Sequence, residues 1–341
     1  PLSDYGPVQY FGVATFTTGI FRTWYGLNNT VAAAQLSALL LGFVFLLVAL
    51  ERLSRRGARY HQTSQRHQAI RRYPLRGGRA LAAIAFCLLP VACGFLIPAG
   101  LLTTWAWRVA DTRIDAAFLG LMGHSLGLAA TAALLALVLA LILGYGRRLH
   151  PTRGVTAAVR IAGMGYAVPG TVIAVGVIIP FAWLDNSLDA WMRATFGLST
   201  GLLLSGTLAA LLFAYLVRFL AVALQTVESG LGKIRPAMDE SARSLGLRPG
   251  GVLRRVHLPM LRGSLLTALL LVFVDVLKEL PATLILRPFN FNTLAVRVYE
   301  LAADERLADA APAAQAIVLT GLLPVILLSR SITQSRHAQT T

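Results

Sequence analysis

The sequence is poor in charged residues. Only 13% of its 341 residues are Asp, Glu, Lys or Arg, whereas soluble globular domains carry about 25%. This shortage excludes an ordinary soluble domain. The charges that remain are unbalanced, because 31 are basic and 15 are acidic, and the formal net charge is +16.

Cysteine is also scarce. The chain holds two cysteines, Cys87 and Cys93, both in one apolar stretch. Six residues apart on a helix, their side chains point to different faces. We therefore expect neither a disulfide nor a pair of thiol ligands for a metal, and the six histidines form no ligand cluster along the chain.

Catalytic motifs are missing as well. The sequence has no Gly-x-x-x-x-Gly-Lys-Ser/Thr loop, since Gly232-Lys233 lacks both the upstream glycine and the following hydroxyl. No nucleophile–base or metal-ligand set stands out. We predict that the chain is not an enzyme, that it holds no cofactor of its own, and that any nucleotide hydrolysis occurs on a partner.

Long apolar runs dominate what is present. Hydrophobic residues make up 56% of the chain, and the mean hydropathy is +0.66. Runs of about 18 or more apolar residues are long enough to cross a bilayer as a helix. The sequence therefore predicts an all-α, polytopic membrane bundle of about seven helices. The predicted spans are 31–50, 80–103, 119–145, 162–184, 201–224, 264–286 and 313–329.

The loops between these spans alternate in charge. Loops 51–79, 146–161 and 225–263 and the tail after 329 are strongly basic, and the intervening segments are balanced or acidic. Basic loops mark the cytoplasmic side. We expect a multi-pass membrane protein with its N-terminus outside and its C-terminus in the cytoplasm. Without interleaved aromatics, the basic residues do not indicate a nucleic-acid partner.

The 225–263 loop is longer than a connection needs. Pro236 suits the first turn of a short helix, Asp239 and Glu240 suit its positive N-terminal end, and Gly246 suits a left-handed residue after its C-terminus. A second short helix follows a turn at 248–251. Such a helix pair can dock into another protein. A basic helix can equally lie on anionic membrane lipid, and the residues alone leave both open.

The same loop resembles a signature of the permease subunits of bacterial ABC importers. The signature is Glu-Ala-Ala, three residues, Gly, nine residues, Ile, one residue, Leu-Pro. Every spacing is kept here, with Ser in place of the middle Ala and Val in place of Ile. The matching residues are Glu240, Ser241, Ala242, Gly246, Val256, Leu258 and Pro259.

This resemblance implies a type I ABC importer permease fold in the bacterial inner membrane, with the N-terminus of the chain periplasmic and its C-terminus cytoplasmic. It also implies that about Asp239–Leu247 is the coupling helix, which sits in a cleft of a separate ATPase subunit, with Glu240 and Ala242 as contact residues. The expected partners are an ATPase dimer that binds ATP-Mg on the cytoplasmic side and a periplasmic substrate-binding protein. The external segment 289–299 is expected to help dock that binding protein.

Residues 277–301 repeat the opening of the chain at a constant offset of 275 (293 − 18). The matched pairs are Leu2/Leu277, Asp4/Glu279, Phe16/Phe291, Thr18/Thr293, Arg22/Arg297 and Trp24/Tyr299. We therefore expect residues 1–50 to be the C-terminal end of a first permease half, 51–79 a basic cytoplasmic linker, 80–330 a complete second half with six spans, and 331–341 a cytoplasmic tail. The first half is expected upstream of this chain.

With its two fused halves, the chain resembles the ferric-iron importers of Gram-negative bacteria. Importers of thiamine, sulfate, polyamines or phosphonate are the alternatives. Asp275, Lys278 and Glu279 are ionisable groups at the end of an apolar span, where charges face the bundle interior or a water-filled path. Asp275 and Lys278 are three residues apart, so we expect them to pair and partly neutralise each other on one helix face. The repeat places Asp4 opposite Glu279. Since ferric iron prefers oxygen ligands, these are candidate pathway residues, although a buried pair that only joins the halves fits equally well.

Two other classes remain as alternatives. A secondary transporter or channel would work without an ATPase, but it should show inverted repeats, whereas both copies of this repeat precede a span in the same direction. A membrane-embedded enzyme is a more distant alternative.

Overall fold

The computed structural model describes residues 4–55 and 73–337, and these residues contain helices and no strands. The segment 56–72, which holds most of the predicted basic linker, lies outside the described residues, as do 1–3 and 338–341. The helices are α1 Gly6–Tyr10, α2 Phe16–Phe21, α3 Thr30–Arg55, α4 Gly78–Val91, α5 Ile97–Arg113, α6 Ala116–Leu149, α7 Arg153–Ala162, α8 Gly170–Phe196, α9 Leu208–Gly232, α10 Pro236–Ser244, α11 Pro249–Val252, α12 Leu258–Leu277, α13 Pro281–Leu286, α14 Leu294–Ala303 and α15 Leu307–His337.

Six helical stretches of the described chain are long and apolar enough to cross a membrane. One of them joins α4 and α5 through a π turn into a continuous helix of 36 residues. The apolar first part of α15, 307–322, is shorter. The predicted all-α membrane bundle is therefore confirmed, and α15 occupies the place of the seventh span.

Several predicted span boundaries are wrong. The span predicted at 264–286 is interrupted, because α12 ends at Leu277 and α13 begins at Pro281. Proline lacks an N–H, so the hydrogen bonding of α12 cannot continue through Pro281. Lys278–Leu280 therefore forms a break that we call the elbow. Hydropathy alone does not register such a break, since the flanking residues are apolar.

Two further spans are displaced toward their C-terminal ends. The prediction of 162–184 becomes a helix over 170–196, which starts directly after Pro169, and that of 201–224 becomes a helix over 208–232. The segment 197–207 between them is tied to α8. Backbone N–H groups of Leu204 and Ser205 donate to the buried Asp185 carboxylate at 3.1 and 2.7 Å. This carboxylate fixes where α9 begins.

The core of the bundle is formed by α6, α9 and α12, which pack on one another in all three pairings. On α6 the buried face is a row of alanines, Ala129, Ala132, Ala133, Ala136 and Ala140. Small side chains let helix backbones approach closely in a membrane. This close packing means that a displacement of one of the three helices is felt by the other two.

The opening segment packs against the later part of the chain. Helices α2 and α3 lie on α8, and α1 lies on α14. The Tyr5 ring stacks on Phe21 with centroids 3.7 Å apart, and the hydroxyls of Tyr5 and Tyr299 are 3.0 Å apart. The two segments that the sequence predicts to be a repeat therefore touch each other.

The two segments also share their order of elements, which is a short helix, a helix with a threonine N-cap, and a long helix. The N-caps are Thr15 for α2 and Thr293 for α14. The ungapped alignment placed Thr18 on Thr293, so it is wrong by three residues in this part. Thr18 instead completes the capping box of α2 by accepting the Thr15 N–H.

Candidate functional site: the signature loop and the elbow

The loop that carries the permease signature is shorter than predicted. Because α9 extends to Gly232 and α12 begins at Leu258, the connection covers 233–257, and we call it the signature loop. Its first helix, α10, runs from Pro236 to Ser244, so the segment expected to be the coupling helix, Asp239–Leu247, covers α10 from its fourth residue and the turn that follows. Pro236 stands in the first turn, as predicted.

Gly246 ends this helix in the manner that the sequence predicts. Its φ is +84°, in the left-handed region. The Leu247 N–H donates to the Ala242 carbonyl at 3.1 Å, and the Gly246 N–H donates to the Arg243 carbonyl at 2.9 Å. These two bonds form a Schellman motif, and a residue with a Cβ would be strained here.

The signature loop is fastened to the bundle through one carboxylate. Asp239 on α10 accepts Arg148 Nε at 2.8 Å and lies 2.7 Å from His257 Nε2. Arg148 is near the end of α6, and His257 immediately precedes α12. The remaining guanidinium nitrogens of Arg148 donate to the carbonyls of Leu231 at 2.6 Å and Ile234 at 2.9 Å. We call Arg148, Asp239 and His257 the loop anchor.

Electrostatics keep the Asp239 carboxyl ionised. Burial raises its pKa, but hydrogen bonds from Arg148 and His257 outweigh this, and the pKa lies below its ordinary value. An ionised carboxylate only accepts hydrogen bonds, so His257 Nε2 carries the hydrogen. His257 is fully buried, and its Nδ1 has no partner among the described residues.

A second bond closes the loop from the other side. The Tyr145 hydroxyl of α6 donates to the Pro249 carbonyl, which begins α11, at 2.7 Å. The Tyr145 ring also meets the His257 ring edge-on, with centroids 5.4 Å apart. Both short helices of the signature loop are thus tied to the end of α6.

The exposed face of α10 differs from the predicted contact set. Glu240 and Ser241 are exposed, but Ala242 is only 6% exposed and packs inside the chain. Its contact role stays a prediction, which this inward packing does not favour. Met238 and Leu245 are large apolar residues that are 39% and 84% exposed. Met238, Ser241 and Leu245 follow i, i+3, i+7 spacing and lie on one side of the helix. We call them, with Glu240, the docking face.

The remaining signature residues follow α11. Val256 and Leu258 are half-buried and Pro259 is exposed, in a π turn over 253–257 and the first turn of α12. The sequence analysis missed Tyr145, Arg148 and His257 as functional candidates. Arg148 was counted only as one of several basic loop residues, and no local pattern singles it out.

At the elbow, the predicted pair of Asp275 and Lys278 is confirmed as an ion pair of 2.9 Å on one face of α12. Lys278 remains mostly exposed, at 63%. Glu279 has a different partner, because its carboxylate is buried and accepts Arg218 Nη1 of α9 at 3.1 Å. The same oxygen accepts the Ala282 N–H at 3.1 Å.

Hydrogen bonds extend this cluster along α13. The Thr283 hydroxyl donates to the Glu279 carbonyl at 2.6 Å, and the Tyr215 hydroxyl lies 2.6 Å from that of Thr283. The sequence analysis missed Arg218, although a basic residue inside a predicted span is itself a signal of function. Asp4 is exposed whereas Glu279 is buried, so the two carboxylates matched by the repeat occupy unlike surroundings.

Comparison with known proteins agrees with this architecture. The family of binding-protein-dependent transport system inner membrane components matches residues 136–335. The chain is 27% identical over 335 residues to the Fe(3+)-transport system permease protein FbpB 2 of Haemophilus influenzae, which covers 96% of this chain and 63% of that protein. It is 29% identical over 164 residues to the putative 2-aminoethylphosphonate transport system permease protein PhnV of Salmonella typhimurium. This match covers 48% of this chain and 56% of that protein.

The fold is similar to that of a bacterial ABC transporter involved in the import of the acidic polysaccharide alginate. The TM-score is 0.59 at 15% identity, over 76% of this chain and 95% of that one. A second structure of an alginate transporter, in complex with a periplasmic protein, has a TM-score of 0.56 at 14% identity, over 77% of this chain and 96% of that one. The chain spans less than two thirds of the length of the two curated relatives.

Proposed function

Because the chain belongs to the binding-protein-dependent transport system inner membrane components, we propose that it forms part of the substrate pathway of an ABC importer for ferric iron. Its signature loop docks on a separate ATPase subunit on the cytoplasmic side. The observation that carries this proposal is the signature loop itself, which presents an exposed face on α10 while its inner side is fixed to α6 and to the start of α12.

The loop anchor gives the proposal a mechanism. A movement of the ATPase subunits acts on the docking face of α10. Asp239 passes that movement to α6 through Arg148 and to α12 through His257, since it bonds both. Because α6 and α12 pack on α9 and on each other, the bundle responds as a unit. At its far end, α12 leads into the elbow.

The partners follow from the family and remain part of the proposal. An ATPase dimer binds ATP-Mg and hydrolyses it, and a periplasmic binding protein delivers the substrate at the opposite face. The N-terminus of this chain is then periplasmic and its C-terminus cytoplasmic. One similar fold is that of an alginate transporter in complex with its pentasaccharide-bound periplasmic protein, which supports a binding-protein docking surface on the outer side.

The domain organisation supports a permease with two halves. The elements over 4–55 repeat the order of those over 281–337, and the two segments meet through Tyr5 and Tyr299. We assign residues up to 50 to the end of a first half and 80–330 to a second half, with the basic segment between them as a linker.

Ferric iron is the substrate that the similarity supports best, because the resemblance to an Fe(3+)-transport permease extends over 96% of this chain. Aminoethylphosphonate is the second candidate, since the resemblance to its putative permease is 29% over about half of the chain. Uptake of radiolabelled ferric iron and of labelled aminoethylphosphonate by cells with and without the intact permease separates the two. Iron uptake that is unchanged in the deletion strain contradicts the iron assignment.

The docking face supplies the test of the ATPase partner. Leu245→Glu places a charge at the large apolar residue that directly follows α10 and is 84% exposed, without touching the loop anchor. We expect co-purification of the ATPase to fall at least about tenfold, a loss of about 1.4 kcal/mol. Ser244→Ala, at the neighbouring exposed residue, introduces no charge and serves as the matched control. Retention of the ATPase by Leu245→Glu would refute docking at α10.

A further inference from the structure

The Arg218–Glu279 ion pair joins three parts of the bundle at one point. Arg218 is on α9, Glu279 is in the elbow, and the pair lies against Gly170, the first residue of α8. The side chains are 11% and 6% exposed. A charged pair in such a place is costly to bury, and an interruption of a membrane helix is tolerated only where protein or a cavity surrounds it.

Gly170 shows how closely the pair is fitted. A Cβ at this position would lie 2.1 Å from Arg218 Nη1 and 2.5 Å from Glu279 Oε1. Neither distance is possible for a real Cβ, so with any residue other than glycine the ends of the Arg218 and Glu279 side chains would have to move. The turn before α8 is fitted in the same way, because a Cβ at Gly165 would lie 1.7 Å from the Val217 carbonyl oxygen, next to Arg218.

The elbow also reaches the meeting point of the two repeated segments. Leu280 follows Glu279, and its Cδ2 lies 3.1 Å from the position of a Cβ on Gly6, in α1. In transporters built from internal repeats, substrate sites lie at the interface between the repeats. The elbow is therefore held by the ion pair on one side and touches the interface between the two repeated segments on the other.

The pair is incompletely satisfied, which allows a second arrangement. Arg218 Nη1 donates to Glu279, but Arg218 Nε is buried and has no partner among the described residues. Arginine and a carboxylate commonly form two parallel bonds, and here only one donor of the fork is used. A shift of the elbow could bring Nε into use without removing either charge from its partner.

We propose that Arg218 is a positioning residue for transport: through Glu279 it holds the elbow against α8 and α9 in the resting state, so that ATP hydrolysis stays low until a loaded binding protein arrives. This inference rests on the proposed function. Coupling then depends on two linked contacts of α12, the loop anchor at its start and the Arg218–Glu279 pair just beyond its end.

The test uses the complete permease with its ATPase subunits in lipid vesicles. Gly170→Ala places a methyl group where the charged ends of Arg218 and Glu279 lie, so it disturbs the ion pair and alters no charge. We expect basal ATP hydrolysis to rise about tenfold, which corresponds to a loss of about 1.4 kcal/mol in the free-energy difference that favours the resting arrangement. Less substrate should be taken up for each ATP hydrolysed. Gly176→Ala is the matched control, because it lies on the same helix and a Cβ there meets nothing within 4 Å.

Two further variants keep the inference falsifiable if Gly170→Ala fails to assemble. Glu279→Gln removes the charge of the carboxylate and should reproduce the raised basal hydrolysis. Arg218→Lys keeps the positive charge and should show a smaller rise in basal hydrolysis. A purely structural role would lower the yield of all three without raising hydrolysis per complex. Assembled complexes of Gly170→Ala or Glu279→Gln with wild-type basal hydrolysis and wild-type stimulation would overturn the proposal.

A cross-link examines the elbow directly. Gly6→Cys and Leu280→Cys, in a background lacking Cys87 and Cys93, should be joined by a short thiol-specific cross-linker with a reducible disulfide in its spacer, which fixes the elbow to α1. Uptake should be lost on cross-linking and return with reductant, and full uptake by the cross-linked complex would contradict the inference. If a binding protein does not stimulate ATP hydrolysis by the wild-type complex, the proposed function fails. If it does, but the variants are stimulated like the wild type and show the same basal hydrolysis, this inference alone fails.

Discussion

The loop anchor and the elbow are both fixed by an arginine–carboxylate pair, but the two pairs are built differently. All three side-chain nitrogens of Arg148 donate, one to Asp239 and two to backbone carbonyls. Arg218 gives Nη1 to Glu279 and leaves Nε buried without a partner among the described residues. A fully engaged guanidinium suits a rigid connection, and a partly engaged one suits a contact that changes during a cycle.

The carboxylates differ in the same sense. Asp239 accepts from side chains of two different elements, α6 and the turn before α12, so it ties separate elements together. Glu279 accepts from one side chain and from the Ala282 N–H of the helix that follows it. The first pair therefore resists displacement from several directions, whereas the second opposes mainly the separation of the elbow from α9.

The largest effect should come from Arg148→Met. It leaves Asp239 and two carbonyls without their donor in a mostly buried setting, and breaking a buried pair costs about 3–5 kcal/mol. We expect a marked fall in the thermal unfolding temperature of the purified complex together with loss of ATPase binding. Fluorescence-detected thermal denaturation provides the measurement.

The neighbouring residue supplies the control for this prediction. Arg147 also forms an ion pair, with Glu228 at 2.7 Å, but both side chains are about a third exposed. Exposed pairs contribute about 0–1 kcal/mol, so Arg147→Met should change little. Equal destabilisation by the two variants would mean that Arg148 has no special part in holding the signature loop, and the contrast with the elbow would disappear.

A medium effect is expected from Gly246→Ala. The φ of +84° costs a residue with a Cβ about 1–2 kcal/mol, and the Schellman motif at the end of α10 should weaken. Gly250→Ala is the control, since a Cβ there meets nothing within 4 Å and the residue lies in α11 with a negative φ. Hydrogen exchange of the 236–247 amides should increase in the first variant only.

The pattern of hydrogen exchange in Gly246→Ala also shows whether the end of α10 and the loop anchor act independently. If the loop anchor alone keeps the docking face in place, exchange should rise near Gly246 and stay low around Asp239. Faster exchange along the whole of α10 would show that the helix end and the anchor form one cooperative unit. Unchanged exchange everywhere would contradict the need for glycine at this position.

Local rules explain which parts of these sites the sequence could predict. Pro236 and Gly246 were placed correctly because helix ends depend on residues within a few positions. Asp275 and Lys278 were paired correctly because residues three apart on a helix are neighbours. The membrane class and most of the spans follow from hydropathy in the same direct way.

Long-range partners explain what the sequence could not predict. Arg148 and Asp239 are 91 residues apart, and Arg218 and Glu279 are 61 apart, so packing brings them together and no spacing rule identifies them. The elbow was missed because it lies within an apolar run. The inward packing of Ala242 was not predicted, because a family signature does not distinguish a residue that packs inward from one that faces a partner.

The smallest expected effect is the acid sensitivity of the loop anchor, which depends on the charge of the Asp239 carboxylate. The folded-state pKa of Asp239 lies below its ordinary value, and a group of this kind contributes stability that is present above its unfolded pKa and is lost as the pH falls through the folded one. With an unfolded pKa of about 3.9, the contribution of Asp239 should stay constant from neutral pH down to about pH 5. Hydrogen exchange of α10 at graded pH, corrected for the intrinsic exchange rate, should therefore show protection that declines only in more acidic buffer. Asp239→Asn should remove that decline, and a decline that persists in this variant would assign the acid sensitivity to another group.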